Sequence, residues 1–507
     1  MTDDEATPSK LPEPKRVRLT FNTCKQPLAN KTDYPDGWKA PLAPQLIVYV
    51  SNTTENQSPG PNVQGKAQMK VEIDHGWGEL EFDASSDIFI GVSAPDLPDS
   101  EVLTTWQHDP PWNYELAVTT GQPYHGFVND QFLYLVDTDD TAALMITGNL
   151  TSESALYGGV NETLSGEELM KITKFPYTMY AQRTNPLNPM PFEGIEKSYC
   201  AVRQLAQSKP GQADISMTTR GLGNFPKQQF HLKELKGSSE YLGFLTRPRN
   251  VSDSSDTGGT VWAPTAFHTK ADGNCKIIYN LPFCAEVAYA VPANPTVFSD
   301  TRDLTDFYDD IAERWWKNFT YSLQQVQCNA SSSAAYSLVR NCDSCAASYK
   351  NWLCAVTIPR CMDYSSKLSY LAPRSENRLF WNATAPGWQE RPYTPVVEKD
   401  DIPMNVTGPR NRNSLVDEVV MPGRYKEVKP CKDLCWSLVQ DCPSSMGFGC
   451  PEMGSEGGQE SYGERDPSGD VTCSYLGAVY FLNDAWRKGV GVWWWGLLLA
   501  AVLWELV

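Results

Sequence analysis

Between residues 17 and 297 the apolar positions fall in short runs broken by Gly, Pro and Asn. Leu46–Val50 (LIVYV), Met69–Ile73 (MKVEI), Ile88–Val92 (IFIGV), Lys276–Asn280 (KIIYN) and Ala285–Val291 (AEVAYAV) have the length and composition of strands. Phe132–Val136 (FLYLV) and Ala142–Thr147 (AALMIT) flank the acidic break Asp137–Asp140, which predicts a hairpin. Asp137, Asp139 and Asp140 then read either as calcium ligands or, as such clusters more often are, as a solvated turn. The period changes near residue 300. Leu304, Tyr308, Ile311, Trp315, Phe319, Leu323 and Val326 recur at spacings of three and four, with Glu313, Arg314, Lys317 and Gln324 on the other side. This predicts an amphipathic helix of about six turns. The fold class expected is α+β: an N-terminal antiparallel β-sandwich-like domain, then a helical disulfide-rich domain.

Composition refines the boundaries. Residues 1–16 are acidic and proline-rich, lack the apolar segment of a signal peptide, and are read as a disordered N-terminus. The β-rich extracellular domain is assigned to 17–297, since Pro292 and Pro295 mark a break before the helix. The helical domain takes 298–480. Its cysteine-free stretch 362–430, rich in Pro, Arg, Asn and Asp, reads as a surface insertion with little core of its own. Residues 481–507 end in VWWWGLLLAAVLWELV, sixteen residues long, where a spanning helix needs about 20. Arg487 and Lys488 precede it, against the positive-inside rule for a luminal ectodomain. With the small residues Asn483, Asp484 and Ala485 ahead of it, this tail fits a removable GPI-attachment signal, attached at Asn483, better than a single span.

The cysteines fix the compartment. Ten of fourteen lie in two clusters: Cys328, Cys342, Cys345, Cys354, Cys361, and Cys431, Cys435, Cys442, Cys450, Cys473. Cys24, Cys200, Cys275 and Cys284 add an even number for which structural pairing is the default. Ten N-x-S/T acceptors accompany them: Asn30, Asn52, Asn56, Asn149, Asn161, Asn250, Asn318, Asn329, Asn382 and Asn405. Many cysteines and many glycan acceptors together predict a disulfide-bonded glycoprotein of the secretory pathway. The net charge of −18 argues against nucleic acid as a partner.

Other chemistries find little support. Cys342-x2-Cys345 resembles half a zinc site, but the second cluster lacks matching spacing and all five histidines precede residue 269. His75, His108, His125, His231 and His268 form no metal-ligand spacing, and no G-x-S-x-G, H-E-x-x-H or P-loop motif occurs. No catalytic residue, metal or cofactor is assigned. Cys431 and Cys435, four apart, share one helix face and are placed to tie that helix to two neighbours.

Tyr349–Cys361 (YKNWLCAVTIPRC) and Pro430–Pro443 (PCKDLCWSLVQDCP) resemble a Frizzled-type cysteine-rich domain. Together with Phe21–Pro27 (FNTCKQP), Phe283–Pro295 (FCAEVAYAVPANP) and Phe307–Cys328 (FYDDIAERWWKNFTYSLQQVQC), in order from about residue 20 to 475, they resemble more closely the fungal stretch-activated calcium-channel component, the Mid family. That resemblance implies an extracellular glycoprotein at the plasma membrane, or in the endoplasmic reticulum. Its partner would be a pore-forming calcium-channel α-subunit homologue, on which it docks as an accessory subunit. The resemblance to Frizzled-type domains implies an alternative, a receptor or adhesion module binding a lipid or protein ligand.

Overall fold

The computed structural model describes residues 15–29, 41–85, 87–97, 106–107, 111–151, 164–184, 190–208, 210–250, 257–328, 335–375, 411–452, 454–467 and 469–479. Antiparallel sheets fill the N-terminal half. Lys15–Lys25 runs between Trp77–Ala84 and Asn113–Thr119. Its alternation places Val17, Leu19 and Phe21 on one face, where they meet Val48 and Val50 of Ile47–Ser51, the central strand of a second three-stranded sheet. Period-two patterning thus closes a small sandwich.

A larger sandwich follows. Leu133–Thr138 and Ala143–Thr147 form the expected hairpin, continued by Lys227–Leu232 and Ala213–Thr218 into a four-stranded sheet. Facing it are Thr178–Thr184, Glu240–Pro248, Gly259–Trp262 and His125–Val128, with Thr265–His268 also paired to Glu240–Pro248. Leu133, Met145, Phe230 and Leu232 pack against Met179, Ala181, Tyr241 and Leu245 between the two. One pairing departs from the antiparallel expectation: His125–Val128 runs parallel to Gly259–Trp262. The other face of the four-stranded sheet buries Val136, Leu144 and Ile146 against the hairpin Cys275–Ile278/Tyr289–Pro292.

Six α-helices occur among the described residues: α1 (Gly166–Met170), α2 (Tyr199–Leu205), α3 (Thr301–Leu323), α4 (Cys342–Thr357), α5 (Lys432–Asp441) and α6 (Glu456–Ser461). Helix α3 is the predicted one. The Asp300 side chain accepts from the Arg302 N–H at 2.9 Å to start it. Leu304, Tyr308, Ile311 and Phe319 are buried as the period required, but Trp315 is 56 % exposed. Trp316 turns inward instead, because the buried row runs through Ala312, Trp316 and Phe319 where α4 packs. Asp309 is buried on the same helix. Its carboxylate accepts the Phe283 and Cys284 N–H groups at 2.7 and 2.8 Å, tying α3 to the loop between the hairpin strands.

The acidic turn is neither solvated nor a calcium cluster. Asp137 is 2 % exposed and pairs with Lys270 at 2.5 Å and Arg360 at 2.9 Å. Burial pushes its carboxyl up, but the Arg360 guanidinium and the Lys270 ammonium outweigh burial and hold it below the usual range. Asp139 accepts the Thr141 and Ala142 N–H groups, both at 2.7 Å, and Asp140 pairs with Lys276. Each carboxylate is spent on the fold.

The ends of the cysteine-free stretch also differ from the surface insertion expected. Arg360–Met362 and Leu371–Arg374 both pair with Tyr425–Val428 in a three-stranded sheet, and Arg360, Arg374, Tyr425 and Glu427 are all nearly inaccessible. Glu427 accepts from Arg374 at 2.5 Å and from Arg412 at 2.8 Å. Burial raises the Glu427 carboxyl, and the two guanidiniums more than reverse it. Charges that read as surface are here buried in pairs. Residues 376–410 lie outside the described residues.

Candidate interaction surface

Every one of the fourteen cysteines is paired. Helix α4 organises the bridged helical region. The Asn341 side chain caps it, accepting the Ser344 N–H at 2.8 Å. Its three cysteines leave in three directions: Cys342 to Cys328, Cys345 to Cys442 at the end of α5, and Cys354 to Cys284. Cys431 and Cys435 tie α5 to Cys473 and Cys450, two different neighbours as their spacing required. The two clusters are not a closed set. Cys354 and Cys361 pair with Cys284 and Cys275 of the β-rich segment, and only Cys345–Cys442 joins cluster to cluster. Cys24 and Cys200 pair with each other. The zinc reading of Cys342 and Cys345 is thereby replaced by two disulfides. Among the described residues the one group close enough to ligate a metal, Cys24, Glu115 and Cys200, has both sulfurs in a bridge.

The core beneath is aromatic. Phe319 of α3 stacks on Tyr349 of α4 with centroids 3.7 Å apart and planes within 5°, and Trp316 and Phe448 lie against the same tyrosine. The Trp352 Nε1–H donates to the Tyr462 hydroxyl at 2.9 Å, anchoring the segment after α6.

Asp441, itself buried, gathers the loop before α4. Its carboxylate accepts from Ser348 and pairs with Arg340 at 2.9 Å, while its carbonyl accepts from the Tyr336 hydroxyl at 3.0 Å. Ser337 Oγ accepts the Val339 and Arg340 N–H groups at 3.2 and 3.1 Å. The loop so fixed presents Leu338 and Val339 at 88 % and 85 % exposure, the most exposed large apolar side chains among the described residues. Trp436 and Val439 of α5, three apart and so on one face, are also exposed. Sequence reasoning missed Leu338 and Val339. A Leu-Val pair in a polar loop signals nothing until the Cys328–Cys342 bridge and Asp441 are seen to hold it out.

The glycan acceptors fare differently. Asn149, Asn250 and Asn318 are exposed and Asn52 is partly so, whereas Asn56 is 1 % exposed and its Nδ2 donates to the Ala67 carbonyl at 3.2 Å. Asn30, Asn161, Asn329, Asn382 and Asn405 lie outside the described residues, as do Asn483 and the C-terminal tail. No helix among the described residues is long and apolar enough to cross a membrane.

The model of a family described as "Stretch-activated Ca2+-permeable channel component" matches residues 16–479, spanning both the sandwiches and the bridged helices. The chain belongs to that family. The stretch-activated cation channel yam8 of Schizosaccharomyces pombe is 36 % identical over 487 residues, covering 93 % of this chain and 85 % of the relative. The stretch-activated cation channel MID1 of Saccharomyces cerevisiae is 27 % identical over 381 residues, 72 % of this chain and 63 % of the relative. The protein of the same name from Cryptococcus neoformans is 25 % identical over 367 residues, 67 % of this chain and 55 % of the relative. The family resemblance of the quoted cysteine stretches is therefore confirmed over almost the whole chain.

Proposed function

We propose that this protein is an accessory subunit of a calcium-permeable channel, docking its bridged helical region on the extracellular side of a pore-forming subunit. The observation that carries the reading is the apolar pair Leu338–Val339, held outward by the Cys328–Cys342 bridge and by Asp441. A rigid, exposed apolar contact loses little entropy on binding, which suits a stable protein interface. Seven disulfides support a body that works on the outer side of the membrane, because such bridges persist in oxidising compartments. N-glycosylation at the exposed acceptors and a GPI link at Asn483 belong to the same reading, with Asn56 the acceptor least able to take a glycan. The test is to tag the full chain, solubilise cell membranes gently and identify what co-purifies. A pore-forming calcium-channel homologue is expected; its consistent absence would sink the proposal. Release of the protein from membranes by a phosphatidylinositol-specific phospholipase tests the anchor separately.

A further inference from the structure

Helix α3 turns two aromatic side chains away from the fold. Trp315 and Tyr321 are 56 % and 64 % exposed. Trp316, Phe319 and Tyr349 contact one another in the core, while among the described residues no ring contact involves Trp315 or Tyr321. Asn318 stands midway between the two exposed rings, three residues from each. By helix geometry each ring is displaced from Asn318 by about 60° around the axis and about 4.5 Å along it, in opposite directions. All three therefore share one face. Asn318 is exposed and opens the acceptor Asn318-Phe319-Thr320. Among the described residues its Nδ2 makes no hydrogen bond, unlike that of Asn56. The charged neighbours are engaged along the helix itself. Arg314 Nε donates to the Asp310 carbonyl at 3.3 Å, and Lys317 pairs with Glu313 at 3.5 Å. The two rings are left as apolar surface against water, with an acceptor between them.

We infer that an N-linked glycan on Asn318 lies back over this face and covers Trp315 and Tyr321 with its first N-acetylglucosamine residues. The C–N bond forms as the Asn318 amide nitrogen attacks the anomeric carbon of a polyprenyl-diphosphate-linked oligosaccharide. The diphosphate leaves with the bonding pair, and the amide loses one proton. A pyranose ring has a face of C–H groups, whose partial positive charge meets the negative face of an aromatic ring. Its hydroxyl groups point outward to water. The covalent tether selects the occupant, because a sugar fixed at Asn318 is at high effective concentration over both rings. The inference rests on the glycoprotein reading above and goes beyond it, giving one acceptor a packing role on a named face.

The test uses the full chain, made in a eukaryotic secretory host and purified alone in amphipol. It is footprinted with hydroxyl radicals, and oxidation is read by mass spectrometry on peptides spanning residues 315–321. Trp315 and Tyr321 should oxidise at least about threefold more slowly in wild type than in Asn318→Gln protein, because the glycan is bulky. Trp436, exposed on α5, should oxidise equally in both. Should Asn318→Gln unfold, Thr320→Ser replaces it. That variant keeps a hydroxyl where Thr320 donates to the Lys317 carbonyl at 2.7 Å. A serine acceptor is less fully occupied, so both glycoforms occur in one sample, and only the glycosylated form should be protected. Equal oxidation with and without the glycan would overturn the inference, whether both rings are open or something else covers them. So would an unmodified Asn318 in a chain glycosylated at other acceptors. A chain with no glycan at any acceptor would overturn the glycoprotein reading as well.

Discussion

The two halves of this molecule are held together by different means. The sandwiches rest on apolar layers, with Cys24–Cys200 the only bridge that begins and ends within residues 15–268. The bridged helices have a smaller core, centred on Phe319, Tyr349, Leu353 and Leu438, and four disulfides of their own: Cys328–Cys342, Cys345–Cys442, Cys431–Cys473 and Cys435–Cys450. Where little surface can be buried, covalent links restrict the unfolded chain instead. Between the halves both devices meet. Cys275–Cys361 and Cys284–Cys354 cross the junction, and the Asp137 pairs with Arg360 and Lys270 are buried there.

The largest expected effect comes from opening the longest bridge of the helical region. Replacing Cys345 and Cys442, 97 positions apart, by serine should cost about 4–5 kcal/mol by loop-closure entropy, read from denaturant unfolding. The same treatment of Cys435 and Cys450, 15 apart, should cost about 3 kcal/mol. Equal losses would show that strain or residual structure, not chain entropy, sets the stability of the helices.

Asp137→Asn probes the junction. It leaves Arg360 and Lys270 buried without their anion, at a cost of about 3–5 kcal/mol. The pH dependence follows from the lowered carboxyl. Because the folded group ionises below its unfolded value of about 3.9, its contribution is complete above that pH. It is lost as pH falls through the folded value. Wild type and Asp137→Asn should therefore converge in acid, and a gap that persists undiminished at pH 2 would contradict the ion-pair account.

The smallest effect on stability is expected at the surface. Leu338→Asp and Val339→Asp should change unfolding by less than about 0.5 kcal/mol, as exposed substitutions do. A larger loss would mean that the pair packs within the fold and is no free contact face.

Much of this contrast was legible in the sequence. Spacings of three and four gave α3, and two apolar runs around Asp137–Asp140 gave the hairpin at the centre of the fold. The spacing of Cys431 and Cys435 gave two tethers from one helix face. What stayed hidden depends on long-range pairing. Arg360 finds Asp137 across 223 positions, and Arg374 finds Glu427 across 53. A buried charge and a solvated one have the same letter, so both ends of the stretch 362–430 looked like surface. Trp315 and Trp316 are both large and apolar, and only the position of α4 decides which turns in. The cysteines pointed to the bridged helices as the candidate surface, yet the most exposed apolar residues there were not foreseen.

The most direct test of the central proposal is quantitative co-purification of the pore-forming subunit with tagged full-length protein, wild type against the double substitution Leu338→Asp/Val339→Asp. The docking account predicts a folded variant, with all seven bridges intact, that recovers at most a tenth of the wild-type amount of pore subunit. Undiminished recovery with that variant would contradict docking through this face.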